Sequence, residues 1–548
     1  MFLNVFEVFL VFLTCTCATI FTSVWRMQRA AEVEASMREM LRNYVMQSDV
    51  MELQVPDSIR SFLDELDSLV DLTSRENYLE NPIDAFDFIR RRSTTWKEVE
   101  TIMNCDECEL NPPRKKYIED MEMLMSRTQE LNVTQDDAEH AAIALVRLWR
   151  TYHLNLTELF RGRVSNTTTQ PLAAEDIFFI TNTLSERGDL YAEITWLQQL
   201  MASLKEDEDL WSDTVLRRRA VNMLTSAYSR YGMPWKSVDL LANELQKEYS
   251  KSVERDLKYY SMKVQEAEKS SENITLQDSI TPRESHRMKL CRGEGLRDVS
   301  VTSRLYCLYR QVTTPYHRVK EEILNLKPRI SLLYNLISDE EIEQFKELAV
   351  IRMKESRVSS SMSTVRDVRV SETAWMADTV DPLIKRLGMR IQMITGLNVM
   401  QHLLPCADSE SFQVLNYGIG GMYTDHHDYL ETPLLSFGPL PEEQSKGYPL
   451  YDLLCGERTA TWIYYLSNVQ AGGNTVFTLL NITVPVVKGG AAFWYNIDRA
   501  GVHDHWTEHA GCPVLIGSKW ISNKWIRETG QVLKRTCGKN MNALDGPL

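Results

Sequence analysis

Apolar positions recur at helical spacing through the first half of the chain and give way to short strand-like runs after Gly396. From about 27 to 130, stretches such as MREMLRNYVMQ and IRSFLDELDSLVDL carry heptad-like apolar positions, which predicts amphipathic helices. Stripes of this kind more often pack inside a domain than join two chains, so self-association stays open at this point. Between about 135 and 255 the pattern becomes helix pairs broken by glycine, one turning near Arg187-Gly188-Asp189 and one near Tyr231-Gly232. The stretch from about 256 to 325 is charged and turn-rich and reads as a linker or a loop-rich shoulder. Ser338 with Glu341 then forms a capping box that Ile337 and Ile342 can staple. A second helix opens at Asp381-Pro382 and closes at Gly396, with Leu383, Ile384, Leu387, Ile391 and Ile394 on its apolar face.

Beyond Gly396, the runs SFQVLNYG, ATWIYYLSNV, VPVVKGGAAFWYN, CPVLIG and KWISNKWIR are rich in β-branched and aromatic residues between Gly, Pro and polar turns. Such a series predicts a sandwich or barrel, with a double-sheet jelly roll among the stable closures. The expected class is multidomain α+β: an all-α N-terminal half, then a C-terminal double-stranded β-helix with flanking helices. The glycine-broken helix pairs look like tetratricopeptide units, although their glycines lie farther apart than that repeat places them. Tyr152, Tyr191, Trp196, Trp211, Tyr228, Tyr231 and Trp235 fall here. Aromatic grooves suit proline-rich peptides, whose polyproline II helix loses little entropy on docking; filling the hairpin cores is the commoner role for any one ring.

At 548 residues the chain exceeds what one core organises, and two to four domains are expected. A formal charge of -15, with no long Lys/Arg run, argues against a nucleic-acid partner. Residues 8–21 are too short for a membrane span but match the apolar core of a secretory signal. Cleavage is expected after Ala18, or as late as residue 23; the segment before the core departs from the usual pattern, carrying Glu7 and no Lys or Arg. Sequons at Asn132, Asn155, Asn166, Asn273 and Asn481 are compatible with a lumenal route. Ten cysteines include Cys15 and Cys17, which leave with the signal. Among the rest, Cys291 with Cys307 and Cys512 with Cys537 are the expected local pairs. Cys105 and Cys108 form either a small disulfide or two thiols, and Cys406 and Cys455 have no assigned partner.

The candidate chemistry lies near the C-terminus. His426 and Asp428 stand two apart in MYTDHHDY, His509 follows in WTEHAGCPVLIG, and Lys519 comes next in GSKWISNKW. Two imidazoles and a carboxylate can hold one face of a ferrous ion and leave the other face open. Strand alternation would point His426 and Asp428 the same way and His427 off that face. Lys519 could hold an anionic co-substrate. His427, His503 and His505 are rival ligands, and spacing alone does not choose among them.

The segments VLNYGIGGMYTDHHDY, RTATWIYYLSNVQAGGNTVF, KGGAAFWYN and HAGCPVLIGSKWISNKWI closely resemble the catalytic domain of collagen prolyl 4-hydroxylase α subunits. The resemblance extends upstream through CRGEG at 291–295 to NPIDAFDFIRRRSTTW at 81–96, across nearly the whole mature chain. It implies that His426, Asp428 and His509 ligate Fe(2+). It implies further that Lys519 pairs with the C5 carboxylate of 2-oxoglutarate, that Tyr417 and Tyr465 line the co-substrate pocket, and that L-ascorbate is the reductant. The organisation it implies is a signal peptide at 1–18, a helical and dimerising region at 24–134, a tetratricopeptide-like peptide-binding domain at 135–255, a linker at 256–325 and a catalytic domain at 326–530 with its core at about 408–528. The partners it implies are a proline-rich, collagen-like peptide and protein disulfide isomerase as β subunit of an α2β2 tetramer in the endoplasmic reticulum lumen. Hydroxylation of a non-collagen secreted protein, or a peptide-binding chaperone role with little catalysis, are the alternatives. Two positions depart from the family: His427, where an apolar residue is usual, and Thr478, where proline is. The His503/His505 pair has no place in its pattern.

Overall fold

The computed structural model describes residues 21, 23–73, 77–105, 110–206, 213–247, 250–267, 274–356, 370–401, 408–430 and 455–538. The signal segment with Cys15 and Cys17, and Cys108, Trp211, Asn273 and Cys406, lie outside them. No described helix is long and apolar enough to cross a membrane.

The N-terminal half is helical. Its first helix, Val24–Val50, is capped by the Ser23 hydroxyl and buries Met27, Ala30, Met37, Leu41 and Tyr44 within this chain, so the heptad stripe is consumed by intrachain packing, largely against helix Pro112–Arg127. Farther on, helix Ala174–Glu186 turns at Gly188 into Leu190–Glu206, and Thr214–Tyr231 turns at Gly232 into Pro234–Lys247. Both glycines have positive φ, a conformation that costs a residue with a Cβ. Trp196 and Tyr228 are buried hairpin core. Tyr191 stacks on Trp149 with centroids 6.3 Å apart, and the Tyr231 hydroxyl lies 3.1 Å from the Gln277 carbonyl; with Trp235, these rings stay half-buried.

The C-terminal half is built on antiparallel sheets. Its large sheet has nine described strands, in the order Cys307–Gln311, Arg318–Leu326, Arg329–Tyr334, Ala491–Tyr495, Arg458–Tyr465, Lys519–Arg527, Phe412–Tyr417, Glu372–Met376 and Lys354–Glu355. A four-stranded sheet runs Ile482–Val484, Thr475–Phe477, His509–Gly511, Tyr423–His426. Both faces of the large sheet are covered, which explains the unbroken apolar runs seen in the sequence. Ile463, Tyr465, Trp494 and Leu415 pack with Phe477, Ile482 and Val484 of the small sheet. From the alternate positions, Trp462, Tyr464, Phe493 and Phe412 meet the helices Asp339–Val350 and Pro382–Thr395. Those two helices begin and end where the caps required: Ser338 and Glu341 form the capping box, Asp381 accepts from the Leu383 amide at 2.8 Å, and Gly396 closes the second helix in the left-handed conformation.

The stretch 256–325 is more ordered than its composition suggested. It contains the end of helix Lys251–Ala267, helix Pro282–Cys291 and the first strands of the large sheet. Charge misled because the inner strand Arg318–Leu326 turns Arg318 and Lys320 to water and buries Glu321 in ion pairs with Arg310 and Arg329, so its apolar alternation is broken on both faces. The two halves share one core: Val370, Ile419, Leu515 and Ile516 belong to the same buried cluster as the helical residues.

The expected disulfides are not the ones formed. Cys291 bonds Cys512, while Cys307 and Cys537 are exposed thiols. Sequence proximity favoured the local pairs; instead, helix Pro282–Cys291 lies on the small sheet, in one cluster with Val476, Ala510 and Cys512. Cys105 is disulfide-bonded.

Candidate active site

His426 ends the strand Tyr423–His426 and faces His509, which begins the neighbouring strand His509–Gly511. Asp428 lies past the end of its strand, so a turn rather than strand alternation brings it alongside His426. One ligand atom from each of the three lies within 4.8 Å of the other two. His426 Nε2 is 3.7 Å from Asp428 Oδ1, and His509 Nε2 is 3.7 Å from Asp428 Oδ2. Both separations are under about 4.2 Å, twice a metal–ligand bond of about 2.1 Å, so one ion reaches across each pair.

The surroundings set the donor atoms. His426 Nδ1 lies 2.8 Å from the Thr424 carbonyl and His509 Nδ1 lies 3.0 Å from the Thr507 carbonyl. A carbonyl only accepts, so each Nδ1 carries the proton and each Nε2 turns a lone pair to the centre. The Thr461 hydroxyl donates to Asp428 Oδ2 at 2.7 Å. Burial alone would raise the Asp428 carboxyl, but in the metal-free site positive charge on the facing His509 and His426, then Arg458 and the Thr461 hydroxyl, hold it below its ordinary value; a bound dication would take the place of the imidazole protons and act in the same direction. Tyr423 stacks on His426 at 3.7 Å between centroids, and Trp494 meets the His509 ring edge-on at 4.8 Å, which fixes both rings.

Lys519 opens the central strand Lys519–Arg527 and pairs in register with Tyr417. It is 1% exposed, and burial, with no carboxylate among the described residues to offset it, pushes its ammonium down to about 7. Its Nζ sits 5.0 Å from the Tyr417 ring centroid and near Gly511, two residues past His509. Tyr465 is fully buried in the same inter-sheet core, its hydroxyl 3.2 Å from Thr475 Oγ1 and pushed up to about 12, chiefly by burial. A buried cation with no carboxylate partner among the described residues, beside a His-His-Asp cluster, fits a small metal-chelating dicarboxylate.

Two family models match the sequence: prolyl 4-hydroxylase alpha-subunit N-terminal region over residues 23–166, and the 2OG-Fe(II) oxygenase superfamily over 412–527. The chain is 33% identical over 510 residues to prolyl 4-hydroxylase subunit alpha-1 of Gallus gallus, covering 88% of this chain and 92% of that one. It is 30% identical over 549 residues to subunit alpha-2 of Gallus gallus, covering 95% and 96%, and 33% identical over 484 residues to subunit alpha-3 of Mus musculus, covering 84% of each. The chain belongs to the prolyl 4-hydroxylase alpha-subunit family. Its C-terminal half is an iron(II)- and 2-oxoglutarate-dependent oxygenase domain.

The two positions expected to differ from the family, His427 and Thr478, have local contacts. His427 points away from the His-His-Asp cluster, stacks on Tyr429 and lies 3.7 Å from Glu508. His503 stacks on the other side of Tyr429 and contacts Glu457 at 3.1 Å, so neither rival histidine joins the cluster. His505 lies in a one-turn helix against Trp506. The Thr478 hydroxyl donates to Asp425, the residue before His426, a bond proline could not make. Thr461 and the Thr424 and Thr507 carbonyls were not legible in the sequence: a threonine in an apolar strand carries no signal of its target, and a carbonyl has no residue identity.

Proposed function

We propose that this chain hydroxylates C4 of peptidyl proline in collagen-like X-Pro-Gly sequences, with His426, Asp428 and His509 as the iron ligands and Lys519 as the partner of the distal carboxylate of 2-oxoglutarate. The chain is a 2-oxoglutarate-dependent proline 4-dioxygenase. The observation that carries the residue assignment is the convergence of two carbonyl-oriented imidazoles and a buried carboxylate on one centre beside a buried lysine.

Iron held there would supply the oxidation chemistry by which dioxygen gives one atom to succinate, as 2-oxoglutarate loses CO2, and the other to the C4–H bond of the proline. The chain's residues orient the reactants and exclude water. His426 and His509 present neutral Nε2 atoms because their Nδ1 protons are held by backbone carbonyls. Asp428 supplies the anionic ligand, and Thr461 fixes which oxygen turns inward. Lys519 offers a compact charge that needs no bidentate match, and its dry surroundings strengthen that attraction. Tyr417 and Tyr465 line the same pocket and hold the co-substrate against the sheet.

The remaining organisation follows the family resemblance. The two sheets enclosing Tyr465 and Trp494 read as a double-stranded β-helix, and the glycine-turned hairpins at 135–255 as tetratricopeptide-like, with Tyr191, Tyr231 and Trp235 open to a proline-rich peptide. Residues 24–134 are the dimerising region and 326–530 the catalytic domain. An apolar leader and sequons support a lumenal, glycosylated protein of the endoplasmic reticulum, paired with protein disulfide isomerase in an α2β2 tetramer and kept reduced by ascorbate. The test is to purify the chain with and without a disulfide isomerase and supply (Pro-Pro-Gly)n, iron and 2-oxoglutarate. One 4-hydroxyproline per succinate is expected; succinate release that the peptide does not stimulate would refute the activity.

A further inference from the structure

Helix Pro282–Cys291 packs on the small sheet at strands Thr475–Phe477 and Ile482–Val484 and reaches the two histidine-bearing strands beside them through its side chains. Arg283, Arg287 and Cys291 are four residues apart in sequence and therefore share one helix face. Arg283 pairs with Glu508, the residue before His509. Arg287 reaches Asp425, the residue before His426, with Nη1 2.5 Å from Oδ2. Cys291 is bonded to Cys512, the residue after strand His509–Gly511. Because strand side chains alternate, Asp425 and Ala510, the strand neighbours of His426 and His509, point outward to this helix while the histidines point inward. The same helix is tied elsewhere: His286 Nε2 is 2.7 Å from Asn481 Oδ1, and the Thr483 hydroxyl donates to the Leu290 carbonyl at 3.0 Å.

The pairing of the two strands is irregular. His509 pairs with His426 but Gly511 pairs with Tyr423, so two steps on one strand oppose three on the other. A bulged two-strand contact of this length offers few backbone bonds to hold two imidazoles at a set distance. We infer that Arg287 is a positioning residue for the metal site: its ion pair with Asp425, braced by Arg283–Glu508 and the Cys291–Cys512 bond, locks strand Tyr423–His426 against strand His509–Gly511 so that both Nε2 atoms reach one ion. This rests on His426, Asp428 and His509 being the ligands. The helix also ties the site to the helical half, since Arg292 donates to the Thr151 carbonyl at 2.8 Å and the Tyr152 hydroxyl donates to the Pro513 carbonyl.

The test is Co(II) titration of the metal-free full chain, prepared as for the activity assay, read by the ligand-field absorption of the bound ion. Arg287→Met is expected to weaken Co(II) binding roughly tenfold or more, the usual effect of losing a residue that orients a ligand, and to change the absorption envelope. Arg287→Lys should recover most of the affinity. Peptide KM should stay at the wild-type value while kcat falls and returns with excess Fe(II). Asp425→Asn keeps the shape, breaks the ion pair and should match Arg287→Met; it decides the matter if the methionine variant does not fold. Wild-type Co(II) affinity and spectrum in Asp425→Asn would overturn the positioning role. A wild-type chain that binds no Co(II) would overturn the ligand assignment beneath it.

Discussion

Lys519 and Lys524 share one strand and are both buried, yet their settings differ. Burial lowers Lys524, but Asp378, 3.2 Å away, offsets it, while Lys519 has burial alone. The ammonium of Lys519 is therefore disfavoured in the folded, co-substrate-free protein below about pH 7, and that penalty fades as pH rises from about 7 toward the ordinary 10.5. A bound carboxylate reverses the preference, so above about pH 7 the site takes up a proton as 2-oxoglutarate binds. The KM for 2-oxoglutarate should rise with pH above that point, approaching roughly tenfold per unit for one linked proton. Lys519→Met should bind 2-oxoglutarate weakly at every pH with that slope removed. Initial rates across this range check the claim, and a flat wild-type profile would contradict it. At this scale the sequence was informative where chemistry depends on residue type, as for the His-His-Asp set and Lys519. It was silent where chemistry depends on placement: nothing in ATWIYY says that the Thr461 hydroxyl reaches Asp428.

Elements were legible where local chemistry specifies them. Helix Pro382–Thr395 has an Asp381 cap, proline in its first turn, a buried apolar stripe and a terminal glycine, and it forms between those marks. Asp381→Ala should lower stability by about 1 kcal/mol, the usual cost of losing an N-cap, seen as an earlier urea midpoint with unchanged slope. Asp381→Asn should stay near wild type, and equal losses in both would argue against the cap. Strand Arg318–Leu326 went unread because charged residues interrupt its apolar alternation. The strand read through His426 and Asp428 stops at His426, two residues short of Asp428, because four residues give too little alternation to mark its end.

Across the whole molecule, contacts between distant segments decide the outcome, and these leave the faintest trace in sequence. Cysteine count gave no connectivity, and Cys291 finds Cys512 only because helix Pro282–Cys291 is laid on the small sheet. Peptide mapping without reduction should recover a Cys291–Cys512 link with Cys307 and Cys537 open to alkylation; a Cys291–Cys307 peptide would refute this arrangement. The helical and catalytic halves share a core through Val370, Ile419, Leu515 and Ile516, and Ser23 Oγ donates to Asn416 at 2.6 Å, so the catalytic half is braced by the helices before it. The central claim is that three side chains from separate segments seat one iron ion for proline oxidation. The most direct measurement is peptide-dependent formation of succinate and 4-hydroxyproline by the full chain and by His426→Ala, Asp428→Ala and His509→Ala, each checked for wild-type circular dichroism. The wild type should form both products in equal amounts and every variant neither; a folded variant that keeps wild-type turnover would contradict the account.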